Sequence, residues 1–134
     1  MTPSTEPYLT FEPCRRRVRA RFANHIIADT EDCLILREGS LAPVYYFPIS
    51  DVEMGYLGRT EHHTHCPHKG DAAYYSVLID GEFAENAVWA YEDPKPAAEV
   101  LRGRVAFDED RIEVYEIDDA AIEAGLGHLA ARHV

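Results

Sequence analysis

Between Thr60 and Gly70 the chain reads Thr-Glu-His-His-Thr-His-Cys-Pro-His-Lys-Gly, which gathers four of its seven histidines and one of its three cysteines. Imidazole with thiolate is a zinc-type ligand set, and on an extended segment His63 and His65 project to one face, Cys66 and His68 to the other. A structural zinc centre normally joins two ligand pairs, however, and no Cys-x-x-Cys or similar cluster accompanies this one. Zinc at His63, His65 and Cys66 is therefore the minor alternative. No metal and no other cofactor is the expectation, with the histidines facing solvent.

The next residues suggest different chemistry. Pro67 fixes the backbone after the cysteine and Gly70 permits a positive-φ turn, so Lys69 is presented as a cation at the lip of a loop. There it can attract an anionic or carbonyl group of a ligand. Beside Cys66 it can also favour the thiolate, which would make Cys66 a nucleophile or redox thiol with Lys69 stabilising negative charge. The plainer reading leaves Cys66 a small buried hydrophobe and Lys69 a surface charge.

Tyr45, Tyr46, Tyr74, Tyr75, Trp89 and Tyr91 fall on expected strands, where alternation sends about half of them to each side. A wall of polar-tipped rings suits a flat or amphipathic ligand, and it suits a core equally well. The candidate pocket therefore takes Thr64 and Ser76 as hydrogen-bonding groups, Lys69 as the cation, and Tyr74, Trp89 and Tyr91 as walls. The run Arg15-Arg-Arg-Val-Arg-Ala-Arg21 is the one basic patch. Arg19 and Arg21 could clamp an anion, but abundant acids such as Asp29 and Glu31 make internal salt bridges its expected fate.

These residues must be positioned by a chain of 134 residues, enough for one core and not for two ordinary domains. Its formal charge of −11 argues against nucleic acid and anionic membrane as partners. No apolar run approaches a membrane span, and the N-terminus lacks the pattern of a secretory signal. A cytoplasmic protein with reduced thiols is expected.

Short aromatic and β-branched runs separated by turn signals predict a mainly β, antiparallel domain. Residues 1–14, with three prolines, read as a tail or strap, residues 15–117 as the β-rich domain, and residues 118–134 as a C-terminal helical segment weakened by Gly125 and Gly127. A hairpin is expected from Val18 to Ala28, and another at Asp80-Gly81. A last one is expected from Arg104 to Tyr115, around Asp108–Arg111. Ala23–Thr30 and Ile79–Asn86 share one layout, which hints at two similar hairpins. Exposed strand edges leave a homodimer open as an assembly.

Taken together, Pro43-Val-Tyr-Tyr-Phe-Pro48, Thr64-His-Cys-Pro-His-Lys-Gly70, Ala73-Tyr-Tyr-Ser76, Glu85-Asn86 and Trp89-Ala-Tyr-Glu-Asp-Pro94 resemble the family catalogued as domain of unknown function 427, from about Arg19 to Tyr115. The resemblance implies a small tent-like β fold similar to that of methionine sulfoxide reductase B, whose relatives often hold zinc through paired Cys-x-x-Cys motifs absent here. It carries over Thr60, Thr64, Cys66, Lys69, Gly70, Tyr74, Ser76, Trp89 and Tyr91 as motif residues. His68 stands where the family usually has an aromatic residue. The nucleotidyltransferase label attached to the family finds no glycine loop or paired aspartates in this sequence. The leading functional expectation is a small-molecule-binding domain. The alternatives are an enzyme using Cys66 and Lys69, and a protein-interaction module using a sheet edge or exposed aromatics.

Overall fold

In a computed structural model, which describes residues 9–118 and 132–133, ten strands run between Leu9 and Ile117: β1 (Leu9–Pro13), β2 (Arg17–Phe22), β3 (His25–Thr30), β4 (Leu34–Glu38), β5 (Val44–Pro48), β6 (Leu57–Cys66), β7 (Gly70–Ile79), β8 (Glu82–Ala90), β9 (Arg104–Phe107) and β10 (Glu113–Ile117). They form a seven-stranded sheet, ordered β1-β4-β5-β9-β8-β7-β6, and a second sheet in which β10, β2 and β3 are joined by the two-residue β11 (Arg132–His133). Every pairing is antiparallel. The mainly β class follows from the sequence pattern: β-branched and aromatic residues alternate, and glycine, proline and Asx residues close the runs. Among the described residues no helix is long and apolar enough to cross a membrane.

Two of the turns show how local chemistry fixes register. Ala23 and Asn24 (φ 51° and 64°) join β2 to β3, and Asp80 and Gly81 (φ 51° and 81°) join β7 to β8. Two-residue turns with both φ positive match the right-handed twist of their strands. The two similar hairpins expected from the sequence thus lie in different sheets, and their tips touch where His25 Nε2 meets Asp80 Oδ2 at 2.8 Å.

The sheets pack face to face. Val18, Ala20, Ile27 and Val114 from the smaller sheet meet Phe47, Val77, Val88, Val105 and Phe107 from the larger, almost all without solvent exposure. Phe47 and Phe107 contact edge to face, with centroids 5.1 Å apart. A second, smaller core lies on the opposite, outer face of the seven-stranded sheet, where the 3-10 segment Pro96–Leu101 lays Ala98 and Leu101 against Leu36, Tyr46 and Ala106.

Two sequence expectations are corrected. Leu9–Pro13 is not a strap but an edge strand paired with β4, because Leu9 and Phe11 add to the outer core. Arg104–Phe107 and Glu113–Ile117 do not form a hairpin: β9 pairs with β5 and β8, whereas β10 pairs with β2. Between them Ile112, fully buried in the inter-sheet core, carries the chain from one sheet to the other. Of the expected C-terminal helical segment, residues 119–131 lie outside the described residues, and Arg132–His133 is extended.

Candidate functional site

Among the described residues the outer face of the seven-stranded sheet is partly covered, and its open part is a concave aromatic surface. Strand alternation decides its membership. In β5, Tyr45 turns into the inter-sheet core and Tyr46 outward; in β8, Val88 turns inward and Trp89 outward. Cross-strand register then sets Tyr74 opposite Trp89 and Trp89 opposite Ala106. Ala106 presents only a methyl between Trp89 and Tyr46, and over that gap the indole N–H donates to the Tyr46 hydroxyl at 3.2 Å. Tyr91 continues the same face beyond the end of β8.

The result is a cavity of about 390 Å³ lined by Val44, Tyr46, Lys69, Tyr74, Asn86, Trp89, Tyr91 and Asp108. Burial pushes the Tyr46 and Tyr91 hydroxyls well above their ordinary pKa, so both rings remain neutral. Tyr74 Oη lies 3.0 Å from Thr64 Oγ1, and the Tyr74 ring meets His62 edge-on with centroids 4.5 Å apart.

Lys69 owes its place to the glycine that follows it. Gly70 has φ +110°, and a β-carbon there would come within 3.3 Å of the Asp93 carbonyl oxygen. That close approach lets the Lys95 N–H donate to the Lys69 carbonyl at 3.0 Å, fixing the turn Pro67–Lys69 between β6 and β7. The lysine side chain then runs inward. Its Nζ donates to Glu38 Oε1 at 2.6 Å, with both side chains 13% exposed, and lies 5.5 Å from the centre of the Tyr91 ring.

The other end of the cavity is built on a bulge in β8. Asn86 has φ 51°, its N–H donates to Ser76 Oγ at 2.9 Å, and its Oδ1 accepts from Thr60 Oγ1 at 2.7 Å. Arg111 closes over the bulge, donating through Nη1 to the Glu85 carbonyl and through Nε to Asp108 Oδ2 at 2.9 Å. Both carboxylates near the cavity, Glu38 and Asp108, thus have cationic partners within the protein.

A family model described as a domain of unknown function (DUF427) matches residues 10–118. The chain belongs to that family. No curated protein matches it. The DUF427 match covers every residue of the cavity.

Within this DUF427 domain the residues singled out in the sequence divide clearly. Lys69, Tyr74, Trp89 and Tyr91 line one hollow. Thr64, exposed, touches it only through the Tyr74 hydroxyl. Ser76, 8% exposed, spends its oxygen on the Asn86 bulge. Cys66 packs half-buried against the outer core, and the amine of Lys69 is committed to Glu38.

The histidines between Thr60 and Gly70 are divided between a strand and a turn. Residues 67–69 form a turn, so His68 is not on the extended segment with His63 and His65. His63 Nδ1 lies 3.1 Å from the Glu61 carbonyl oxygen, and His65 Nδ1 lies 2.7 Å from Asp71 Oδ1. Among the described residues no three His, Cys, Asp or Glu side chains converge as a metal site would require. The arginine stripe is spent internally: Arg17 and Arg19 on Asp29, Arg21 on Glu113.

Sequence reading missed Val44, Tyr46, Asn86 and Asp108 as cavity residues, and Glu38 as the partner of Lys69. Parity along β5 gave a signal for Tyr46, since Tyr45 and Tyr46 must face opposite ways. Glu38 and Asp108 gave none, because pairings between distant strands place them.

Proposed function

We propose that this domain binds a small molecule in the outer-face cavity, and that the ligand is flat, largely apolar and without net charge. The observation that carries this reading is the convergence of Tyr46, Tyr74, Trp89 and Tyr91 on one hollow in which both the lysine and the aspartate are already paired. Stacked and edge-on ring contacts favour a planar ligand, and the Lys69 and Asn86 groups offer hydrogen bonds at its edge. An anion drawn by Lys69, as the sequence suggested, would have to compete with a carboxylate 2.6 Å away.

Trp89 is the single tryptophan of the chain, so binding has an intrinsic probe. Fluorescence titration of the parent against a metabolite set should give quenching, and calorimetry on the hits should give an affinity that Trp89→Phe and Tyr46→Ala each weaken by about tenfold or more, the loss of a major apolar contact. Hits that bind both variants as tightly as the parent would place the ligand elsewhere. The enzyme alternative, with Cys66 as nucleophile or redox thiol and Lys69 as its electrostatic support, draws less from this geometry because Glu38 holds the lysine. A cytoplasmic setting is part of the proposal and fits the three free thiols.

A further inference from the structure

Cys14 and Cys33 stand apart from the cavity, in the core between the sheets, and nothing in the binding proposal uses them. Register brings them together. β1 pairs with β4 so that Pro13 faces Leu34, which makes Cys14 and Cys33 the next opposed pair, and the Cys14 N–H donates to the Cys33 carbonyl at 2.8 Å. Opposed residues of an antiparallel pair project to one side, with α-carbons about 4.5–5.5 Å apart, inside the range of roughly 4.4–6.8 Å that a disulfide spans. Both side chains do project to one side, into the inter-sheet core, and are 7% and 1% exposed. Both thiols are free, and Cys33 Sγ makes a long contact, 4.0 Å, to the Leu34 carbonyl.

We propose that Cys14 and Cys33 form a latent redox pair, which a low-molecular-weight disulfide such as oxidised glutathione converts to an intramolecular bond stapling β1 to β4. One cysteine thiolate attacks the reagent, breaking its S–S bond, forming a mixed disulfide and releasing one thiol. The second cysteine attacks the protein sulfur of that mixed disulfide and releases the other half of the reagent as a thiol. One S–S bond is broken and one made. The two protons of the cysteines end on the two released thiols, and the reagent takes up the two electrons.

The native fold holds this reaction slow. Burial raises the pKa of both thiols, most strongly at Cys33, and shields them from the reagent. Exchange therefore proceeds through transient opening of β1, a five-residue strand at the sheet edge. Once formed, the bond closes a loop containing β2 and β3 and so stabilises both sheets together.

The test uses the full chain carrying Cys66→Ser, incubated with oxidised glutathione, alkylated, and read by intact mass and peptide mapping. The expected result is loss of two hydrogens, a Cys14–Cys33 crosslinked peptide, faster formation in mild denaturant, and a thermal midpoint higher by roughly 10 °C than that of the reduced protein. Cys14→Ser and Cys33→Ser should each prevent the mass change. Only mixed disulfides with glutathione, or an oxidised protein that melts lower than the reduced one, would overturn the proposal. In the parent chain, a crosslink of Cys66 to either cysteine in preference to Cys14–Cys33 would overturn it as well. None of these outcomes depends on whether the outer cavity binds anything.

Discussion

The two faces of the seven-stranded sheet are built from the same strands and do opposite things. The inner face is closed by a second sheet and holds mainly aliphatic and phenylalanine side chains, together with Tyr45, whose hydroxyl donates to the Glu116 carboxylate. Among the described residues the outer face is covered by Pro96–Leu101 and the neighbouring turn, and it carries the polar-tipped rings Tyr46, Tyr74, Trp89 and Tyr91. The difference teaches that burial alone does not mark a core here. Tyr46 is 1% exposed and still lines the cavity, because its neighbour Ala106 leaves the space that a larger residue would fill.

That contrast can be broken most forcefully from the inner side. Phe47→Ala removes a fully buried ring in contact with Phe107 and should cost about 4 kcal/mol in urea unfolding, with ligand affinity per folded molecule unchanged. Lys69→Met, on the outer side, leaves Glu38 as an unpaired and nearly buried charge, and should cost about 3 kcal/mol. The double variant Glu38→Leu with Lys69→Met should recover most of that loss, since well-packed apolar residues replace both charges. If the single and double variants were equally unstable, the pair would not be the reason.

Gly70→Ala should cost about 2 kcal/mol through its positive φ and the approach of the Asp93 carbonyl. It should also loosen the Lys69 turn, measured as faster amide exchange at Lys95, whose N–H bonds that turn. The smallest effect lies at the exposed rim of the sheet. Burial opposes ionisation of Glu92, but hydrogen bonds from Arg59 and Tyr75 prevail and hold its carboxyl below its ordinary pKa of 4.5. With the folded pKa the lower one, this contribution is present above pH 4.5 and fades as pH falls through the folded value. Glu92→Gln should therefore cost under about 1 kcal/mol at neutral pH, and the difference from the parent should vanish in acid.

Much of the local structure was legible in the chain. The Asp80-Gly81 turn, the alternation of Tyr74 with Tyr75, and the β character of Val44–Phe47 depend on residue type and nearest neighbours. Lys69 and Trp89 could be placed on one hollow as a conjecture, since each lies at a strand end or on a strand of known parity. Legibility failed where a residue's role depends on a distant strand. Ser76 looked like a ligand group until the bulge at Asn86 claimed its oxygen, and Arg104–Tyr115 looked like a hairpin until pairing with β5 and β2 pulled its arms into different sheets.

By itself, then, the sequence determined the antiparallel β class, the turns and which side chains alternate, because period and turn chemistry act over a few residues. It also placed a lysine before a glycine that only a positive φ suits. Tertiary structure alone decided that this lysine meets Glu38, that Ala106 opens a space between two rings, and that Cys14 faces Cys33. Those contacts join residues far apart in the chain, and strand order and register set them where no local pattern records the partner.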